Sequence, residues 1–146
     1  MHKEVTIIVS EDNDGHAELI KKNIRRAGIH NKIIHLRDGE ETLNFIFQRN
    51  ETENLEDGRF YLLLLDIRMP KIDGIEVLRA IKKDPKLKRI PVIMLTTTDD
   101  PHEIERCHEL GCNSYITKPI NYENFVMAIQ QLGLFLLIVE VPRVEN

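Results

Sequence analysis

Apolar residues in this chain fall into short continuous runs, and segments with helical spacing separate the runs. The runs predict β-strands at Val5–Val9, Lys32–Leu36, Phe60–Leu65, Pro91–Leu95 and Ser114–Thr117. Helical patterns are predicted at Ala17–Ala27, Gly39–Phe47, Ile75–Lys83, Pro101–Leu110 and from about Tyr122 onward. Because parallel strands need helix-sized connections, this alternation predicts an α/β fold: a five-stranded parallel sheet, doubly wound, with helices on both faces.

Two features of the pattern bear on domain organisation. Phe60–Leu65 is apolar throughout, which is typical of a central parallel strand covered on both faces. The polar stretch Gln48–Arg59 in front of it predicts a surface loop rather than a domain boundary. We therefore expect a single domain over residues 1–146, with an apolar helical extension from about residue 133 to 146.

Polar residues that can bind ions or take part in reactions are found where the predicted strands end. This is the edge at which open α/β sheets bind ligands. They are Glu11 and Asp12 after the first strand, Asp66 after the third, Thr96 after the fourth and Lys118 after the fifth. Three carboxylates this close repel one another unless a cation neutralises them, and Mg²⁺ prefers such oxygen ligands. The pattern predicts a magnesium site where Asp66 can attack a phosphoryl group while Lys118 and Thr96 contact its oxygens.

Sequence motifs around these residues occur in an order typical of one family. They are Val9–Asn13, Leu65–Pro70, Asp73-Gly74, Pro91–Thr96 and Tyr115–Pro119. On these motifs the chain resembles the receiver domain of two-component response regulators from Thr6 to about Leu132. The resemblance implies the (βα)5 flavodoxin-like receiver fold. Since a receiver fills nearly the whole length, no output domain is expected, and the signal would pass through contacts with other proteins.

The resemblance also implies roles for the residues of the site. Asp66 would accept a phosphoryl group from a phosphohistidine of a sensor histidine kinase and become 4-aspartylphosphate in a phosphorelay. Lys118 would contact the acyl phosphate. The Mg²⁺ ligands would be Glu11, Asp12, Asp66 and the backbone carbonyl of Arg68.

The family also implies a switch. Thr96 and Tyr115 would form the switch pair, whose movement reshapes the surface of the fourth helix, fifth strand and fifth helix. Such a protein is not an enzyme with a separate substrate, because it catalyses only its own phosphorylation and dephosphorylation.

Finer details resemble the stand-alone receivers associated with bacterial and cyanobacterial phytochromes. They are the long connection before the third strand, Thr96–Asp100, Leu110–Pro119 and the apolar tail ending at Val141-Pro142. This resemblance implies a phytochrome-type sensor kinase and a homodimer formed through the C-terminal face. The tail segment Leu132–Val139 would bury one side on its own domain and the other on the second copy; the alternative is a simple extension of the core.

The composition of the chain argues against several classes of function. With 20 basic and 24 acidic residues and a net charge of −4, the chain is unsuited to coat nucleic acid. The apolar run Leu134–Val139 is too short to cross a membrane, and two cysteines indicate a reduced, cytoplasmic setting. His102, Cys107 and His108 do not have the spacing that stacks residues on one helix face, so zinc is not predicted.

Several residues have plainer interpretations. Taken alone, Asp66 fits a helix cap, and Tyr115 fits a half-buried aromatic residue without a switching role. His16 is expected to face solvent near the mouth of the pocket, and Arg68 places a cation near the phosphoryl site. The enzyme alternative is a phosphatase with an aspartyl nucleophile. That class needs a second Asp two residues after the first, where this chain has Arg68.

Overall fold

A five-stranded parallel sheet is the centre of the fold. The computed structural model describes residues 5–97, 100–118 and 120–131. The strands are β1 (Val5–Ser10), β2 (Ile33–Leu36), β3 (Phe60–Asp66), β4 (Val92–Thr96) and β5 (Ser114–Thr117). The helices are α1 (Asp14–Arg26), α2 (Gly39–Ile46), α3 (Gly74–Lys83), α4 (Pro101–Glu109) and α5 (Tyr122–Gln131). Neighbouring strands pair in parallel in the order β2-β1-β3-β4-β5, which confirms the predicted α/β flavodoxin-like fold.

Helices cover both faces of the sheet, as a continuous apolar β3 requires. Because side chains alternate along a strand, Leu63 and Leu65 pack on one face and Leu62 and Leu64 on the other. The first face is covered by α2, α3 and α4, and the second by α1 and α5. All four leucines are fully buried, and each contributes about 1.5 to 3 kcal/mol of burial free energy.

Short polar side chains start four of the helices at the edge where the strands end. The carboxylates or amides of Asn13, Asp38, Asp73 and Asp100 accept hydrogen bonds from backbone N–H groups in the first turns of α1 to α4. Such caps satisfy donors that have no partner within the helix. They also hold the first turns of these helices beside the carboxyl ends of the strands.

Three strands extend one residue further toward this edge than the apolar pattern predicts. β1 ends at Ser10, β3 at Asp66 and β4 at Thr96. Hydrophobic periodicity marks only the apolar residues, whereas backbone pairing continues through the polar residue that follows. The candidate site residues at positions 66 and 96 therefore lie on strands rather than on loops.

The connection between α2 and β3 differs in part from the predicted surface loop. Most of residues 48–59 are exposed, but the Leu55 side chain is only 7% exposed and joins the core. Its N–H donates to the Phe45 carbonyl at 3.0 Å, and its carbonyl accepts from Gln48 Nε2 at 2.8 Å. One buried leucine within a polar stretch does not change a periodicity pattern, so this anchor was not predicted.

A short 3-10 turn at Leu87–Arg89 was also absent from the predicted elements. It follows Asp84, whose Oδ1 accepts from the N–H groups of Lys86 and Leu87 at 2.8 and 3.0 Å. The predicted extension from about residue 133 lies outside the described residues, and so does the tail segment Leu132–Val139 on which the predicted dimer rests. Within the described ranges, no helix has the length and apolar character needed to cross a membrane.

Candidate functional site

The site lies where the strand order reverses between β1 and β3, which is where this sheet topology binds ligands. Asp66 is the last residue of β3, and Glu11 directly follows β1. Ser10 pairs with Leu65 in the sheet, so the residues that follow each of them, Glu11 and Asp66, are neighbours. The sheet therefore brings together acids that are 55 positions apart in the sequence.

Lys118 joins the two acids. Its Nζ lies 2.8 Å from Glu11 Oε1 and 3.1 Å from Asp66 Oδ2. The Lys118 side chain is 9% exposed, Asp66 is 4% exposed and Glu11 is fully buried. A buried cation placed between two buried carboxylates is needed here, because each unpaired charge in such a place costs several kcal/mol.

The carboxylates fit a hard divalent cation. Oxygen atoms of Glu11, Asp12 and Asp66 all lie within 4.8 Å of one another, and Asp12 is exposed to solvent. Glu11 Oε2 is buried and has no hydrogen-bond partner among the described residues. A buried carboxylate oxygen without a donor is costly, and a cation with oxygen ligands would satisfy it. This part of the sequence prediction agrees with the geometry, while the identity of the ion does not follow from it.

His16 is closer to this cluster than the sequence indicated. Its Nδ1 lies 2.9 Å from Glu11 Oε1 and 3.4 Å from Lys118 Nζ, although half of the side chain remains exposed. The position follows from the Asn13 cap, which accepts from the His16 N–H at 3.0 Å and sets the first turn of α1 over the end of β1. The sequence feature that could have indicated this contact is a helix-capping residue followed three positions later by a histidine.

The environment of Asp66 disfavours its ionised form. The pKa of Asp66 is raised from its ordinary value of 3.8 to about 7, chiefly by burial and further by the nearby Glu11 carboxylate. Lys118 acts in the opposite direction but does not cancel these effects. The carboxyl group is therefore poised to change charge near neutral pH, and a further positive charge in the site would favour the ionised form.

This shift predicts how stability changes with pH. The pKa is raised on folding, so between about pH 4 and 7 the folded chain holds a proton that the unfolded chain has released. Asp66 therefore lowers stability increasingly as the pH rises through this window. In EDTA we expect Asp66→Asn to exceed the wild type in free energy of unfolding by about 4 kcal/mol at pH 8, with little difference near pH 4. Urea titrations at several pH values measure this, and a pH-independent difference would refute it.

The two residues of the predicted switch pair lie on adjacent strands. Thr96 ends β4 one residue after Leu95, the sheet partner of Asp66, and is 1% exposed. Tyr115 on β5 is 37% exposed, and its ring packs edge-on against His108 of α4 with centroids 5.5 Å apart. Tyr115 thus contacts α4 from outside the core.

Arg68 lies on the loop after β3, and its side chain has a defined partner. Its N–H points to Asp66 Oδ1 at 3.4 Å, which places the backbone of Arg68 beside the predicted acceptor. The guanidinium Nη2 donates to Glu103 Oε2 of α4 at 3.2 Å. The positive charge of Arg68 lies near the site, as the sequence predicted. Its partner Glu103 was not predicted, because a sequence pattern gives no indication of ion pairs between elements.

The same loop closes tightly onto Asp66. The Gly74 N–H donates to the Ile67 carbonyl at 2.8 Å, and a Cβ at Gly74 would lie 2.1 Å from the Asp66 carbonyl oxygen. No real side chain tolerates that approach, so Asp73-Gly74 in the sequence marks a position that only glycine fits. The start of α3 thereby fixes the backbone of the predicted acceptor.

The two cysteines lie away from this cluster, in and after α4. Both are buried free thiols. Burial raises the pKa of Cys107, and burial together with Cys107 raises the pKa of Cys112 to about 11. Both are therefore held as neutral thiols, which is the form that packs in a core and not the form that binds metals.

Comparisons with known proteins agree with this architecture. Residues 7–130 match the response regulator receiver domain. Response regulator Rcp1 of Synechocystis sp. is 37% identical over 131 residues, which cover 90% of this chain and 88% of Rcp1. The Mn²⁺-bound structure of Rcp1 has a TM-score of 0.71 with 31% identity, covering 97% of this chain and 99% of that one.

Two further solved structures are similar. A receiver domain from Rhodospirillum rubrum is 51% identical, with a TM-score of 0.75 and coverage of 97% of this chain and 99% of that chain. The phosphorylated cyanobacterial phytochrome response regulator RcpA is 35% identical, with a TM-score of 0.75 and coverage of 94% and 95%. These findings confirm the resemblance to response regulator receivers and to their phytochrome-associated group. The chain belongs to the response regulator receiver domain family.

Proposed function

We propose that this chain accepts a phosphoryl group on Asp66 from a phosphohistidine of a sensor histidine kinase and transmits the signal through contacts with other proteins. The observation that carries the proposal is the placement of Asp66, which is buried at the carboxyl edge of the sheet with Lys118 Nζ at 3.1 Å. A nucleophilic carboxylate beside a fixed cation suits transfer of an anionic group. The chain then has no separate substrate and is not an enzyme in the usual sense.

The transfer step is a displacement at phosphorus. One Oδ atom of Asp66 attacks the phosphorus atom, and a new O–P bond forms as the P–N bond to the kinase histidine breaks. The electron pair of the broken bond goes to the imidazole nitrogen. The reacting form is the imidazolium, whose other ring nitrogen carries a proton, so neutral imidazole leaves. Lys118 Nζ, which is held between Glu11 and Asp66, can donate to the phosphoryl oxygens as negative charge accumulates there.

The metal of the proposed site is Mg²⁺. Glu11, Asp12, Asp66 and the backbone carbonyl of Arg68 would hold it, and the unpartnered Glu11 Oε2 supports this assignment. When bound, Mg²⁺ supplies positive charge that offsets the mutual repulsion of the carboxylates and of the incoming phosphoryl oxygens. The structure of the relative Rcp1 with Mn²⁺ supports a divalent ion, since Mn²⁺ and Mg²⁺ favour the same oxygen ligands.

Thr96 and Tyr115 are the proposed switch. The Thr96 hydroxyl would donate to a phosphoryl oxygen on Asp66, and Tyr115 would turn inward from its exposed position. An inward turn breaks the edge contact between Tyr115 and His108, so a change at the end of β4 reaches the surface of α4. Phosphorylation would thereby change the surface of α4 that a partner protein can bind.

Phosphoryl acceptance is tested with Mg²⁺ and acetyl phosphate, followed by intact-mass measurement. The wild type is expected to gain one phosphoryl group with Mg²⁺ and none with EDTA, and Asp66→Asn is expected to gain none. Asp14→Asn is the matched control, because Asp14 is an exposed acid next to the site that pairs with Arg37. Equal gain by the Asp66 variant, or gain without divalent ions, would refute the proposal.

The proposed kinase is of the phytochrome type, because RcpA is a phytochrome response regulator that has been captured in its phosphorylated form. Kinases of this kind draw phosphoryl groups from ATP, which places the exchange in the cytoplasm. Transfer to this chain from a purified phytochrome-type kinase is expected to be faster than transfer from a chemotaxis-type kinase. Equal transfer rates would contradict the assignment.

A homodimer through the C-terminal face is part of the same proposal. Tyr122 and Met127 on α5 are 39% and 58% exposed. Tyr115 on β5, the strand that precedes α5, is also exposed. Large apolar side chains that remain exposed on β5 and α5 support an interaction surface in this part of the chain. Light scattering after size exclusion is expected to give a dimer for the wild type and a monomer for Met127→Glu. A monomeric wild type, with and without acetyl phosphate, would contradict the proposal.

A further inference from the structure

We propose that Glu103 is a positioning residue that competes with phosphorylated Asp66 for the Arg68 guanidinium. Phosphorylation would then detach Arg68 from Glu103 and free the first turn of α4. The inference rests on the proposed function and adds a regulatory contact to it.

The contact joins the loop after the acceptor to the start of α4. Arg68 Nη2 lies 3.2 Å from Glu103 Oε2, and the backbone N–H of Arg68 lies 3.4 Å from Asp66 Oδ1. The Arg68 side chain is 70% exposed, whereas that of Glu103 is 15% exposed. The guanidinium is therefore mobile enough to change partners, while Glu103 is held by the body of the domain.

Charge decides which partner Arg68 prefers. A phosphoryl group on Asp66 carries about −1.5 to −2 charge and three acceptor oxygens, against a single charge on Glu103. Arginine can bind a carboxylate or a phosphoryl group through two parallel N–H donors, so the larger negative charge makes the phosphoryl group the stronger acceptor. An ion pair with an exposed arginine is weak, so it yields to a stronger acceptor that forms two residues away in the sequence.

The released Glu103 has a second partner on its own helix. Arg106 lies three positions later, makes no ion pair within the described residues, and lines the same cleft of about 660 Å³ as Arg68 and Glu103. Residues at this spacing are neighbours on a helix surface, and an acid before a base is the favourable order. One exchange of partners thereby couples the acceptor at the end of β3 to the first turn of α4.

The test uses beryllium trifluoride with Mg²⁺ as a reversible stand-in for the phosphoryl group. Its half-saturating concentration is measured from amide NMR peak intensities of the full chain. Glu103→Gln removes the competitor, so this concentration is expected to fall about threefold. Glu105→Gln is the matched control, since Glu105 is an exposed acid on the same helix with no ion pair among the described residues, and no change is expected.

The Arg68→Gln background separates competition from a structural role. There, adding Glu103→Gln is expected to change nothing, because the contested guanidinium is gone. A Glu103→Gln value equal to that of Glu105→Gln, or an effect that survives in the Arg68→Gln background, overturns the inference while the proposed function stands. If the wild type binds no beryllium trifluoride in the presence of Mg²⁺, both the proposed function and this inference are overturned.

Discussion

Replacement of Lys118 by methionine is expected to lower the free energy of unfolding in EDTA at pH 8 by about 3 to 5 kcal/mol. Lys118 Nζ lies between Glu11 Oε1 and Asp66 Oδ2, and its loss leaves two buried carboxylates facing each other without a cation. Methionine keeps the apolar stem, so the effect reports the lost charge. Urea unfolding followed by circular dichroism measures it, and phosphoryl acceptance from acetyl phosphate is expected to be lost in the same variant.

Two comparisons show whether charge is the cause. Lys21→Met removes a surface ion pair with Glu18 on α1 and is expected to cost less than about 1 kcal/mol. The Lys118→Met loss is expected to shrink at pH 5, because the Asp66 carboxyl group, whose pKa is raised, takes up a proton and stops repelling Glu11. A Lys118→Met loss as small as that of Lys21→Met would contradict the account of the site.

Gly74→Ala is expected to cost about 3 kcal/mol and to reduce phosphoryl acceptance with it. The added Cβ would lie 2.1 Å from the Asp66 carbonyl oxygen and 2.9 Å from the Ile67 Cα, so the backbone of the acceptor must move. Overpacking of this kind costs about 1 to 3 kcal/mol and occasionally more, and a contact this close to backbone atoms belongs at the upper end of that range. Denaturant unfolding and the mass assay with acetyl phosphate measure the two effects.

Gly58→Ala is the matched control for this substitution. Gly58 has a positive φ of 83° in the loop before β3, and nothing lies within 4 Å of an added Cβ. Its cost is therefore backbone strain alone, about 1 to 2 kcal/mol, with phosphoryl acceptance unchanged. If both variants accept phosphoryl groups at the wild-type level, the close approach of α3 does not position Asp66.

The sequence predicted where Asp66 lies in the fold, because the reasons are local. A continuous apolar strand is central in a parallel sheet, and the acid that follows it must lie at the edge where ligands bind. Asp66 and the acidic pair after β1 follow from these two rules alone. Strand ends were misplaced by one residue because backbone pairing continues through polar residues such as Ser10 and Thr96.

Contacts between distant elements were beyond sequence reasoning. The Arg68–Glu103 pair spans 35 positions, and the contact of His16 with Glu11 depends on how the first turn of α1 is set by its cap. Periodicity reports which face of a helix is buried, but it does not report which side chain of another element lies opposite. The buried Leu55 was missed because a single leucine in a polar loop does not change the periodicity pattern.

The central claim is that Asp66 carries the phosphoryl group, and reductive trapping tests it most directly. After incubation with Mg²⁺ and acetyl phosphate, borohydride reduces an aspartyl phosphate to homoserine, and peptide mass spectrometry locates the product. Homoserine is expected at position 66 in the wild type, and none is expected in a sample treated with EDTA. Homoserine at Asp12, Glu11 or another acid, or no reduced residue at all, would contradict it.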